Sequence, residues 1–137
     1  MQVVASAGHG NPDMNILGDT SPRFSPDGTQ IAFIRMKYQY EYDVFVVPAA
    51  GGTVRKLTSR SRELGDVDWD TGNRIVYSGD QNGEFKLWAV DWKSPVPHAV
   101  PVPSIVTDMP LQFSISRANH QIRFPATSRT WISGRSI

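Results

Sequence analysis

The sequence predicts an all-β fold built as part of a β-propeller, with about two and a half four-stranded antiparallel blades. Three observations carry this. The first is residue usage: Val, Ile and Thr number 30 of 137 residues, against 14 Leu plus Ala and 7 Glu plus Lys. Such β-branched chains suit pleated strands better than helices. The second is punctuation, since 11 Gly and 10 Pro divide the chain into short segments. The third is a repeat of about 44 residues, a period at which each unit is one four-stranded blade.

The repeat is read residue by residue. Residues 23–34 (RFSPDGTQIAFI) and 68–78 (DWDTGNRIVYS) align so that Gly28 and Gly72, Ile31 and Ile75, and Phe33 and Tyr77 each stand 44 apart. The opening aromatics, Phe24 and Trp69, differ by 45. A third copy opens at Phe113 in FSISRANHQIRF, with Ile122 and Phe124 in the places of Ile75 and Tyr77. Phe45, Trp88 and Trp131 follow at intervals of 43 and mark the third strand of each unit. These units divide the chain into an N-terminal segment 1–20, read as an outer strand of a neighbouring blade, blade 1 (21–64), blade 2 with a Pro-rich connector (65–109) and an incomplete blade 3 (110–137).

Within blade 1, Pro26, Asp27 and Gly28 form a tight turn: Pro sets φ, Asp bonds nearby backbone, and Gly tolerates positive φ. Ile31, Phe33 and Arg35 then alternate with Ala32, Ile34 and Met36, as in a strand buried on one face and partly on the other. Residues 44–47 (VFVV) are apolar on both faces, as expected of a strand with sheets stacked on either side. The turn Ala49-Ala50-Gly51-Gly52 leads to an outer strand at Val54–Thr58, where Arg55 and Lys56 guard the edge. In blade 2, Asn82-Gly83 signals a hairpin after Ser78-Gly79 at a strand end. Pro95, Pro97, Pro101 and Pro103 alternate with valines in a connector or edge strand. The predicted core comprises Phe24, Ile31, Phe33, Phe45, Trp69, Ile75, Tyr77, Trp88, Phe113, Ile122, Phe124 and Trp131.

FSPDGTQIAFIR followed by DVFVVPAAGGTVRKLT resembles the TolB-type β-propeller repeat. The first unit matches it nearly throughout. The second keeps Trp69, Gly72, Ile75, Tyr77 and Trp88 but loses the Pro-Asp-Gly turn and the Gly-Gly to Leu-Thr ending. The third keeps Phe113, Ile122, Phe124 and Trp131. The resemblance covers roughly residues 14–133 and is specific as to fold. It spans several kinds of protein: the periplasmic TolB protein, the propellers of prolyl-oligopeptidase-type and tricorn-type peptidases, and the sensor halves of bacterial winged-helix regulators. The Ser114-Ile115-Ser116-Arg117 turn and the Thr130-Trp131-Ile132 strand are most similar to the regulators.

Composition narrows the chemistry. A net charge of +1 gives no global attraction to nucleic acid or acidic lipid, and the absence of cysteine removes disulfides, thiolate metal sites and a cysteine nucleophile. No apolar run approaches the ~18 residues of a membrane span. No signal peptide is visible at residues 1–10, which leaves a periplasmic or a cytoplasmic bacterial location open. The alternating carboxylates Asp66, Asp68 and Asp70 resemble the start of a calcium loop, but Thr71 and Tyr77 stand where Gly and Glu are required. Their alternation with Val67 and Trp69 reads as a strand with one solvated face. His9, His98 and His120 share no ligand spacing, and no G-x-S-x-G nucleophile motif is present. No catalytic, cofactor or metal residues are assigned.

Partner binding is the remaining expectation. Tyr38 and Tyr40 lie in the loop between the second and third strands, where exposed rings serve as anchors. Arg60 and Arg62 close a basic stretch that begins at Arg55 and Lys56. The expected function is a non-enzymatic protein-interaction or sensing module with a protein or peptide partner, part of a larger bacterial regulator or envelope protein. Its rivals are a peptidase propeller that filters substrates for a catalytic domain elsewhere, and a decayed remnant. Closed propellers have about four blades or more, so open blade faces and edges are also expected to favour self-association.

Overall fold

The structure is a computed structural model that describes residues 16–37, 41–59, 61–71, 73–81, 83–103, 112–116, 118–119 and 121–124. Ten strands and no helix are present among these residues. The first sheet holds β1 (Ile16–Phe24), β2 (Gln30–Lys37), β3 (Glu41–Pro48) and β4 (Arg55–Lys56) in sequential order. The second repeats the pattern with β5 (Glu63–Trp69), β6 (Arg74–Gln81), β7 (Glu84–Asp91) and β8 (Val100–Pro101). A third pair comprises β9 (Ser114–Ser116) and β10 (Gln121–Arg123). All pairings are antiparallel.

The repeat reappears as strand register. Phe33 pairs with Phe45 across β2 and β3, and Tyr77 pairs with Trp88 across β6 and β7. The turn between β1 and β2 takes the form its residues demand. Gly28 sits at φ 74°, and the Asp27 carboxylate accepts from the Thr29 amide at 3.0 Å and from the Ser25 hydroxyl at 2.6 Å. These bonds, with a third from the Thr29 hydroxyl, hold the exposed Asp27 carboxyl down to about 2. Gly83 stands at φ 86° in the hairpin between β6 and β7.

Two apolar layers join the three units. Ala32, Ile34, Val44 and Val46 of the first sheet pack on Leu64, Val67, Trp69, Ile75, Tyr77, Trp88 and Val90 of the second. The opposite face of the second sheet, with Val76, Leu87, Ala89 and Val102, packs on Phe113, Ile115 and Ile122 of the third unit. A sheet covered on both sides cannot show a simple alternation of apolar and polar residues. This corrects one expectation directly: Asp66, Asp68 and Asp70 are all buried rather than facing solvent.

Four further differences have physical reasons. The first sheet begins at Ile16, so residues 16–20 belong to it and not to a neighbouring sheet. Phe24, placed in the core by its alignment with Trp69, is 51% exposed because no preceding sheet packs on it among the described residues. Phe124 is only partly buried beside the second layer. Ser78 and Gly79 lie within β6, paired to β5 and β7, and not at a strand end. Of the remaining predicted core, Ile31, Phe33, Phe45, Trp69, Ile75, Tyr77, Trp88, Phe113 and Ile122 are buried. Gly72 and Trp131 lie outside the described residues.

Candidate interaction site

Two residues that flank the segments expected to meet a partner are joined by a backbone hydrogen bond. The Tyr42 amide, at the start of β3, donates to the Ser61 carbonyl at 2.9 Å. The two residues form an isolated antiparallel bridge, with Ser61 in the segment between β4 and β5. Tyr42 is two residues beyond Tyr40, and Ser61 separates Arg60 from Arg62. Arg62 itself is exposed. Tyr38, Tyr40 and Arg60 lie outside the described residues.

Next to Tyr42 in β3, Asp43 centres a buried polar cluster that the sequence did not disclose. Asp43 is 1% exposed, and its Oδ2 lies 2.7 Å from the Lys56 ammonium. Its Oδ1 accepts from the Thr58 hydroxyl at 3.0 Å, and that hydroxyl oxygen in turn accepts from the Val44 amide at 2.9 Å. Burial pushes the Asp43 carboxyl above its ordinary value, opposed by Lys56 and Thr58. Glu41 lies 4.0 Å from the same ammonium. Ser61 is also buried, and its hydroxyl has no hydrogen-bond partner among the described residues. The signal available in sequence was the Leu57-Thr58 ending of the first repeat unit, read there as a repeat element and not as a carboxylate ligand.

The other chemically active groups are taken up in holding the sheets. Asp66 accepts from the Val67 amide at 2.9 Å and pairs with the half-exposed Arg23 at 3.4 Å. The Ser78 hydroxyl accepts from the Asp66 amide at 3.0 Å. Asp68 accepts from the Trp69 amide at 2.8 Å through one oxygen and from the Ile115 amide at 3.0 Å through the other, which ties the third unit to the second sheet. Burial drives the Tyr77 hydroxyl far above its ordinary value, with the Asp43 charge adding to the effect. Tyr77 donates to Gln81. Among the described residues, no group of three or more His, Asp or Glu side chains is placed to hold a metal ion.

Arg55 and Lys56 do form the short outer strand of the first sheet, paired to β3. Arg55 has a further task, because its guanidinium donates to the carbonyls of Trp92 and Ser94 and clasps the second sheet. Against known proteins, no family model matches the chain, and no curated protein matches it.

Proposed function

We propose that the chain is a non-enzymatic interaction or sensing module made of propeller-type blades, which binds a protein or peptide partner at the rim formed by residues 38–42 and 60–62. The observation that carries this reading is the Tyr42 to Ser61 bridge, which joins the residue two beyond Tyr40 to the residue between Arg60 and Arg62. Aromatic rings beside guanidinium groups are the residue types that dominate protein recognition. The rigid sheets beneath keep the ordering cost of binding low. The TolB-type resemblance of the first repeat unit favours the same reading, since such blades serve as sensors in bacterial regulators and as envelope interaction domains.

The experiment is selection of displayed peptides against the chain, followed by titration of the selected peptides against variants. Replacing Tyr38 and Tyr40 with alanine is expected to weaken binding by at least about tenfold. Arg62→Ala should weaken it less and reduce its dependence on salt. Peptides whose affinity is unchanged by these substitutions would place recognition elsewhere and overturn the assignment.

A further inference from the structure

Asp27–Gly28 is the one Asp-Gly bond in the chain. The turn between β1 and β2 calls for that glycine, because Gly28 sits at φ 74°, a conformation that residues with a Cβ rarely adopt. An aspartyl bond to glycine is also the kind most open to attack from its own backbone, since no side chain on the second residue shields the nitrogen. Fold and covalent chemistry therefore make opposed demands at this turn.

The reaction is intramolecular. The Gly28 nitrogen forms a bond to Asp27 Cγ, the carboxyl OH leaves with the amide proton as water, and a succinimide ring results. Water then adds to either ring carbonyl. Breaking the nitrogen bond at Cγ restores aspartate, and breaking it at the main-chain carbonyl carbon leaves isoaspartate, of unchanged mass. In the structure both reacting groups are occupied. The Gly28 amide, which must give up its proton to attack, donates to the Ser25 carbonyl at 2.9 Å. Asp27 Oδ1 accepts from the Ser25 hydroxyl at 2.6 Å, the Thr29 hydroxyl at 2.8 Å and the Thr29 amide at 3.0 Å. These bonds tie the carboxyl to residues 25 and 29 and favour its ionised form, whereas ring closure consumes the neutral acid, whose OH is the leaving group. Ser25 is itself fixed: it is buried, its hydroxyl oxygen accepts from the Gln30 amide at 3.0 Å, and its amide donates to the Gln30 carbonyl at 2.8 Å.

We infer that Asp27–Gly28 is a site of backbone isomerisation to isoaspartate, which Ser25 and Thr29 hold closed while the turn between β1 and β2 is intact. Modification there follows opening of the turn and then makes the opening permanent. The isoaspartyl linkage runs the main chain through Cβ and Cγ and leaves the carboxylate on Cα. The three bonds to Oδ1 then lose their geometry, and with them the turn that closes the Phe24–Ile31 pair.

The test is ageing of the chain at neutral pH, followed by trypsin digestion. Cleavage after Arg23 and Arg35 releases residues 24–35, which carry Asp27 and exclude the Asn82-Gly83 bond. Isoaspartate in that peptide is measured by enzymatic methylation with an isoaspartyl methyltransferase. It is expected to form at least about tenfold more slowly in the folded chain than in the same chain unfolded in urea. The Ser25→Ala/Thr29→Val double variant keeps Asp27 and Gly28 but loses two of the three donors, and should age at least about tenfold faster than the unaltered chain when folded. Equal rates in the folded and unfolded chain overturn the inference, and so does a folded double variant that ages like the unaltered chain. Absence of isoaspartate from the peptide of the unfolded chain overturns the site itself. The comparison of folded with unfolded chain needs no substitution, so it decides even where the double variant does not fold.

Discussion

Trp69 and Phe24 hold the same place in successive repeat units, so a sequence-level argument assigns their removal equal cost. The structure assigns very different costs. Trp69 is fully buried between the first two sheets, donates its indole N–H to the Arg23 carbonyl at 2.9 Å, and meets Trp92 edge-on at 6.0 Å. A buried tryptophan removes about 200 Å² from water, or ~5 kcal/mol as an upper bound. Trp69→Ala should therefore destabilise by about 4 kcal/mol once cavity, lost hydrogen bond and partial collapse are combined. Phe24 is half-exposed and opens no closed cavity when shortened, so Phe24→Ala should cost about 1 kcal/mol. The difference of about 3 kcal/mol corresponds to a gap of ~10 °C in Tm for a chain of this size. Urea and thermal unfolding followed by far-UV circular dichroism would measure it. Two variants within about 1 kcal/mol of each other would refute the reasoning, because Trp69 would then not be clamped between two sheets.

Three more outcomes follow from single contacts. Gly79→Ala should destabilise by about 1–3 kcal/mol in denaturant unfolding, because its Cβ would stand 2.3 Å from Leu64 Cδ2 and 2.8 Å from the Glu63 carbonyl oxygen. Asp68→Ala removes the acceptor of the Ile115 amide and should speed that amide's hydrogen exchange by about 10- to 100-fold, while the β2–β3 amides stay protected. Asp27, held down to about 2 against an ordinary 3.8, contributes stability that is present above 3.8 and lost as pH falls through about 2. The denaturant midpoint of Asp27→Asn should consequently decline less than that of the unaltered chain across that interval.

Much of the strand layout was legible because it is local. The Pro26-Asp27-Gly28 and Asn82-Gly83 turns, the apolar third strands at 44–47 and 87–90, and the 44-residue register depend on residues near in sequence or repeated at fixed spacing. The tyrosine and arginine segments were also visible as composition. The Tyr42 to Ser61 contact was not, because that bond joins backbones whose side chains carry no pairing signal. Asp43 was hidden for a similar reason: its partners Lys56 and Thr58 come from a strand and a loop beyond the next turn.

The sequence by itself determined the all-β class, the turns and the repeat, since backbone preference and period act along the chain. Tertiary structure alone decided which repeated positions are equivalent in environment. Burial depends on what stacks on a face, and stacking is a property of neighbouring sheets. Hence Asp66, Asp68 and Asp70, in and just after a strand that alternates like a surface strand, are buried, and amides and Arg23 satisfy Asp66 and Asp68. Hence too Phe24 meets solvent while Trp69 and Phe113 do not.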